Sequence, residues 1–574
     1  MQTARRLYVY LLSGISLGAL VLGVTMLLTV LLEALGLGPA GEGVVVGGED
    51  VVRQQLTLAS AVTAVSLPVW LIHWFVAERS VRPDRPGASV ERTSDVRGLY
   101  FALAMGGLLL AMASGLASTV EAIVLELAGT DRFGRSIGGG LALAIVAGAA
   151  WAYHVRLRAR DWSRGPMTDA SAWLPRTYLY VAMFAGLFIL LGGITGFIEL
   201  LGRLVLDEPP PFIDESSGSW WAYPLASSVT SVAVGGAVWL GHAAYANRLL
   251  SDPGWRGASE RPAKVRLAFF VAVLVAAAAG TTYLLGDGAG NAFAAALGVP
   301  DSDEAGQTFG LIILPILSAV PYAIAWWIHV RWMDQEAATA GSSENVETAD
   351  RLQLYPVGLV GLAFGATATA WLIAILIDVA LGGERLVAGD AWRRELSQFV
   401  PFAVLGVAAW IWQWGRASSR WAVDPIGEAS STTRWTTLLI ILAVSIGAGV
   451  ISLGFILYRL FGSVFGLTMS GDPISELSLP IGVAIVAAIV ALYHAGQLRR
   501  DQSLRAGIET APAEPATVPS QAWLRLTGPP GADIASALSA LRQHLPTGYG
   551  LEAVEPLERP AGTPHPTSEA AESS

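Results

Sequence analysis

Five of the seven histidines in this chain occupy one place in a recurring pattern: an apolar stretch, usually a tryptophan, two further residues, then the imidazole, with arginines following. The copies are Trp70 with His73, Trp151 with His154, Trp239 with His242 and Trp326 with His329. A fifth copy runs Trp410-Ile411-Trp412-Gln413, with glutamine in place of histidine, and a sixth, ending at His494, lacks the tryptophan. Imidazoles repeated at 81 to 88 residue intervals suggest three kinds of chemistry. Paired rings could ligate a haem iron or serve a quinone-linked redox centre. Neutral rings titrating near pH 6.5 could form a pH-responsive set. Alternatively, tryptophan and histidine one helical turn apart anchor a helix end at a membrane interface, with Trp70, Trp151, Trp239, Trp326 and Trp410 as the anchors. The departures at Gln413 and in the sixth copy weigh against any function that needs six identical sites.

The elements that carry these residues are long apolar runs. The chain is 53% hydrophobic and 14% charged, with a mean hydropathy of +0.52, far from the roughly 25% charged residues of an ordinary soluble protein. About 20 residues of helix span a hydrocarbon core, and a chain in lipid must satisfy its own backbone, so such runs read as transmembrane α-helices. Twelve are expected, near 8–33, 56–76, 98–122, 138–156, 177–203, 222–246, 266–286, 308–331, 353–380, 397–416, 434–460 and 478–498. The fold class is therefore all-α and integral to a membrane. Taken two at a time, the helices form six tandem parallel hairpins at 1–96, 97–175, 176–264, 265–350, 351–433 and 434–500. A linker at 501–520 follows, then a small β-α-β element at 521–556 and a disordered tail at 557–574.

Charge sets the orientation. Segments after the even helices are rich in arginine, as at Arg79, Arg82 and Arg85, or Arg156, Arg158, Arg160 and Arg164, which places them and both termini on the cytoplasmic side of the inner membrane. The acidic loop at Glu344, Glu347 and Asp350 runs against this pattern. Each hairpin opens on an arginine near aromatics, as in Arg6 with Tyr8 and Tyr10, which reads as headgroup anchoring. Glycines such as Gly115, Gly193, Gly361 and Gly365 let helix backbones approach closely.

The Arg-x-Tyr-x-Tyr opening, the glycine-rich first helix and the Trp-x-x-His close resemble the bacterial membrane family known as domain of unknown function 5671, over about residues 5 to 500. The resemblance implies a multi-pass helical membrane protein and assigns no activity.

Several functions are disfavoured. The chain has no cysteine, which removes thiolate chemistry, disulfides and iron–sulfur ligation. No phosphate loop, nucleophile elbow or zinc-protease helix occurs, no metal site is evident, and an enzyme is not expected. Carboxylates at Glu33, Glu121, Glu126, Glu199 and Asp378 fall at the far ends of the first helices, roughly 25 Å from the histidine of the same hairpin, too far for an acid–base pair. Broken helices, a transporter feature, are sought at Pro315, Pro321 and Pro356, whereas Pro401 and Pro480 read as helix starts. The best reading is a membrane scaffold or interaction protein whose partners are the bilayer and another membrane protein, and not nucleic acid. A channel or transporter comes second and a haem- or quinone-associated component third.

Overall fold

In the computed structural model the described residues are 2–38, 49–129, 137–165, 169–206, 220–261, 263–299, 305–339, 343–382, 391–465, 471–510 and Leu541. Among them, twelve helices are long and apolar enough to cross a membrane. The first pair is α1 (Gln2–Leu32) and α2 (Glu49–Ser80), followed by a short helix, α3 (Ala88–Arg92). Next come α4 (Asp95–Leu127) with α5 (Ile137–Ser163), and α6 (Asp169–Leu206) with α7 (Ala222–Leu250). A second short helix, α8 (Trp255–Glu260), precedes α9 (Lys264–Ala296) and α10 (Ala305–Thr339). The last long pairs are α11 (Ser343–Leu381) with α12 (Ala391–Val423), and α14 (Thr432–Val464) with α15 (Pro473–Thr510), separated by the short α13 (Pro425–Ser430).

Each long helix extends beyond its apolar run, because polar residues at the ends continue the hydrogen-bonded ladder. Where helices stop, local chemistry accounts for it. Gly298, at φ +63°, follows the last turn of α9 in the left-handed conformation that glycine adopts without a Cβ penalty. Asp424 caps α13 by accepting from the Gly427 amide at 2.9 Å, with Pro425 at the first helical position. The three short helices fall in segments expected to be loops.

Proline does not break these helices. Pro315 and Pro321 lie within α10 and Pro356 within α11, each helix continuous across them. Pro401 and Pro480, expected at helix starts, are instead inside α12 and α15. In a densely packed helical protein, neighbouring helices satisfy the backbone groups that proline frees. The last helix reaches Thr510, so any linker begins about ten residues later than the sequence boundary at 501. The strand-helix-strand element expected at 521–556, Leu541 apart, and the tail at 557–574 lie outside the described residues.

Packing follows chain order. Within each of the first five pairs the two helices meet along their length, and the first helix of each of these pairs also meets the next pair. Thus α1 packs on α4 and α5, α4 on α6 and α7, α6 on α9 and α10, and α9 on α11 and α12. Helix α11 in turn packs on α14 and, beside Ala370, receives Gly482 of α15. The first helices therefore form the inner layer of a row. Small residues make the close contacts possible: a Cβ at Gly361 would stand 2.7 Å from the backbone nitrogen of Trp410, and one at Gly115 2.6 Å from the carbonyl of Gly140. Gly140 thus serves packing of α5 on α4, while Gly138 faces Leu32, Glu33 and Leu37 at the end of the first span.

Candidate functional site

The ends of the helices that carry the histidines also carry a chain of ion pairs, four of the six largely buried. Every first helix opens with an arginine, and each of these six is matched to a carboxylate. Arg6 meets Glu91 at 2.7 Å, Arg176 meets Glu260 at 2.8 Å and Arg351 meets Glu428 at 2.9 Å. Arg97 meets Asp161 at 2.6 Å, Arg434 meets Asp501 at 2.7 Å, and Arg266 pairs with Glu336. The partners alternate in kind. For Arg6, Arg176 and Arg351 the carboxylate lies on a short helix, α3, α8 or α13. For Arg97, Arg266 and Arg434 it lies near the end of the second helix of the same pair, α5, α10 or α15.

This alternation doubles the repeat. The larger unit is four long helices with one short helix in the middle, present three times. A tyrosine four residues after the opening arginine joins the two halves of each unit. Tyr10 accepts from Arg97 at 3.0 Å, Tyr180 donates to Glu260 at 3.0 Å, and Tyr355 donates to Glu428 at 2.7 Å while accepting from Arg434 at 3.3 Å. Glu78 and Arg160 extend the first unit's network, with Arg97 to Glu78 at 2.8 Å and Arg160 to Glu78 at 2.6 Å. The acidic stretch that broke the charge pattern, expected as a loop, forms the first turns of α11, where Asp350 accepts from Arg420 at 2.8 Å and Glu347 lies 3.4 Å from Arg351.

Burial makes these pairs consequential. Arg97 is 1% exposed and Asp161 fully buried. A buried charge is tolerable only when a partner and further hydrogen bonds compensate its lost hydration. The opening arginines, expected to sit in headgroups, point inward instead.

The five repeated histidines lie beside this layer and share one geometry. Each Nδ1 faces the carbonyl four residues earlier, at 2.7 to 2.8 Å, so that nitrogen carries the proton and Nε2 is left as an acceptor. Tyr100 donates to His154 Nε2 and Tyr178 to His242 Nε2, both at 2.9 Å, while Tyr8 reaches His73 only at 3.5 Å. Trp151 donates its indole N–H to the Tyr178 hydroxyl at 2.8 Å, completing a relay from indole to phenol to imidazole to backbone. Among the described residues, His329 and His494, each 1% exposed, have no hydrogen-bond partner at Nε2, because their first helices carry Phe269 or Thr437, three residues after the opening arginine, where the second pair carries Tyr100. Replacing Tyr178 by Phe is expected to lower unfolding free energy by about 1–3 kcal/mol, since it strands both Trp151 and His242. Tyr8→Phe should stay within about 0.5 kcal/mol, as a control in the same thermal unfolding assay.

The imidazoles are set among aromatic side chains. The aromatic rings beside each of them are Tyr, Phe or Trp, as with His154 against Trp74 and Tyr100, and His494 against Trp410 and Trp414. Among the described residues, no group of three or more His, Asp or Glu is placed to hold a metal. Gln413 is buried and accepts from Arg416 at 3.3 Å. Of the five tryptophans, Trp70, Trp239 and Trp410 stack on Trp74, Trp332 and Trp414, and Trp326 is half-buried against the central apolar cluster. Asp378 is buried too, within 3.4 Å of Ser478, whereas Glu199 pairs with Arg203 at 3.0 Å.

The paired carboxylates went unread in the sequence although two signals mark them. Glutamate precedes the opening arginine by six residues at Glu91/Arg97, Glu260/Arg266 and Glu428/Arg434. An acid follows the histidine by seven at His154/Asp161, His329/Glu336 and His494/Asp501. Both signals appear only once per two pairs.

Fold and site together define a multi-helical protein of candidate membrane spans, repeated internally and cross-tied by buried arginine–carboxylate pairs at one end. The family model described as "Domain of unknown function (DUF5671)" matches residues 6–137, 99–217, 176–324 and 351–493, well over half of the chain, and the protein belongs to that family. Each match extends beyond one helix pair. Comparisons with curated proteins and with solved structures give no match.

Proposed function

We propose that the chain is an integral protein of the cytoplasmic membrane, its arginine-rich helix ends inside, and that it works as a scaffold for another membrane protein. The observation that carries this reading is an inverted distribution of polarity. Asp161, Glu260 and His154 are fully buried, while Leu110 and Ile451 are 70% and 75% exposed. Apolar side chains outside and paired charges inside suit lipid as the solvent. The ion pairs join consecutive parts of the chain to one another, which suits a rigid platform. Photo-crosslinkers placed at the exposed Leu71 and Ile411 in intact membranes should give one recurring protein adduct, whose assembly in the membrane is lost when this chain is deleted. Adducts to lipid alone would defeat the scaffold reading.

A second reading, solute transport, is favoured by one feature at the opposite helix ends. A cavity of about 320 Å³ between α9, α10 and α12 is lined by Asp287, Asn291, Arg394 and Gln398. An ionisable group lining a cavity in a membrane helix is a common mark of a solute path. Flux of candidate solutes into proteoliposomes, abolished by Asp287→Asn, would support it, and flux equal to empty liposomes would remove it.

A further inference from the structure

The first and second units present corresponding pockets that differ in cover. In the second unit, the pocket bordered by Pro175, Arg176, Leu179, Tyr245, Leu249 and Glu260 is also walled by Arg158 and Trp162 from α5 of the unit before it. Trp162 there lies 6.4 Å from Trp255 of the short helix α8, ring centre to ring centre. At the start of the third unit, Met333 and Ala337 of α10 occupy the corresponding positions, four and eight residues after the histidine, and pack in one cluster with Ala349.

In the first unit, no described helix supplies the counterparts of Arg158 and Trp162, and its copy of the pocket is open. It measures about 740 Å³ and is bordered by Arg5, Arg6, Arg79, Arg85, Phe75 and Glu91. The Arg6–Glu91 pair inside it is 20% and 15% exposed, against 10% and 0% for Arg176–Glu260. Its chemistry also differs. Arg5 stands where the second unit has Pro175 and the third Asp350. Glu91, the carboxylate bordering the cavity, is already held by Arg6, so Arg5, Arg79 and Arg85 give the opening a net positive charge. Beside them Phe75, Val76 and Val90 supply an apolar wall, with Arg82 lying 5.8 Å over the Phe75 ring.

We infer that this open pocket binds the phosphate headgroup of an anionic phospholipid, with acyl chain laid against Phe75 and Val76. Positive charge beside an apolar wall at a helix end matches that amphiphile in both its parts. The inference rests on the membrane reading above; resistance of the chain to carbonate extraction from membranes tests that reading separately.

The test is native mass spectrometry of the full chain, extracted in detergent and equilibrated with phosphatidylglycerol or phosphatidylcholine. The wild type should prefer phosphatidylglycerol by about tenfold or more. Combined Arg5→Gln, Arg79→Gln and Arg85→Gln, which leaves the Arg6–Glu91 pair in place, should abolish the preference without moving the unfolding midpoint. Arg248→Gln, an exposed arginine at the equivalent of Arg79 in the second unit, should leave it unchanged. A hundredfold excess of inorganic phosphate should not displace the lipid. Equal affinity for both lipids, a preference that survives the triple substitution, or full displacement by phosphate would each overturn the assignment.

Discussion

Arg97→Ala is expected to lower the unfolding free energy by about 3–5 kcal/mol, the cost of leaving a buried charge without its partner. Asp161, fully buried, takes two hydrogen bonds from that guanidinium, and Glu78 takes a third. The Tyr10 hydroxyl loses its donor in the same step, and the ring loses the guanidinium that sits 6.0 Å from its centre. Arg97→Lys should recover only part of the loss, because one ammonium cannot supply the forked contacts to Asp161, Glu78 and Tyr10 together. Thermal unfolding in detergent, followed by helical content, reads both variants. A loss below about 1 kcal/mol for Arg97→Ala would mean that the pair is solvated and contributes little.

Gly406→Leu should have an effect of similar size through a different mechanism. Gly406 of α12 packs directly on the backbone of Gly365 and faces Gly361, so a side chain there meets main-chain atoms that no rotamer change can move. Overpacking a close helix contact costs about 1–3 kcal/mol where side chains can give way, and backbone contact leaves little scope for that. The expected result is separation of α11 from α12 and aggregation on size-exclusion chromatography. Gly415→Leu, on the same helix with open space around its Cα, should elute as the wild type does.

The twelve helices were legible in the sequence because length and apolarity are enough to mark them, and each expected run lies within a described helix. Their ends were less legible. Apolarity stops short of the helix ends, whereas hydrogen bonding continues, so α2 runs from Glu49 to Ser80 where the apolar run covers 56–76. Pro401 and Pro480 misled because a soluble-protein rule places proline in the first turn, and these helices hold it in the interior. The candidate site was half legible. Spacing found His73, His154, His242, His329, Gln413 and His494, but it could not show that each Nδ1 is tied to its own helix and that the rings face phenols and indoles. The carboxylates were missed for a physical reason. Glu91, Glu260 and Glu428 sit in connectors, where a lone acid reads as solvated, and only the fold brings them to arginines 77 to 85 residues earlier. A period near 85 residues also hid a pattern that recurs once per two helix pairs.

If buried ion pairs hold the row together, the most direct measurement is a double-mutant cycle on Arg434 and Asp501. Arg434→Met and Asp501→Leu should each cost about 3–5 kcal/mol, and the double variant should cost less than either, because removing both leaves no buried charge unpaired, only the Trp421 indole N–H without its acceptor. Single costs that simply add would contradict it, showing that these two residues meet solvent or lipid independently of one another.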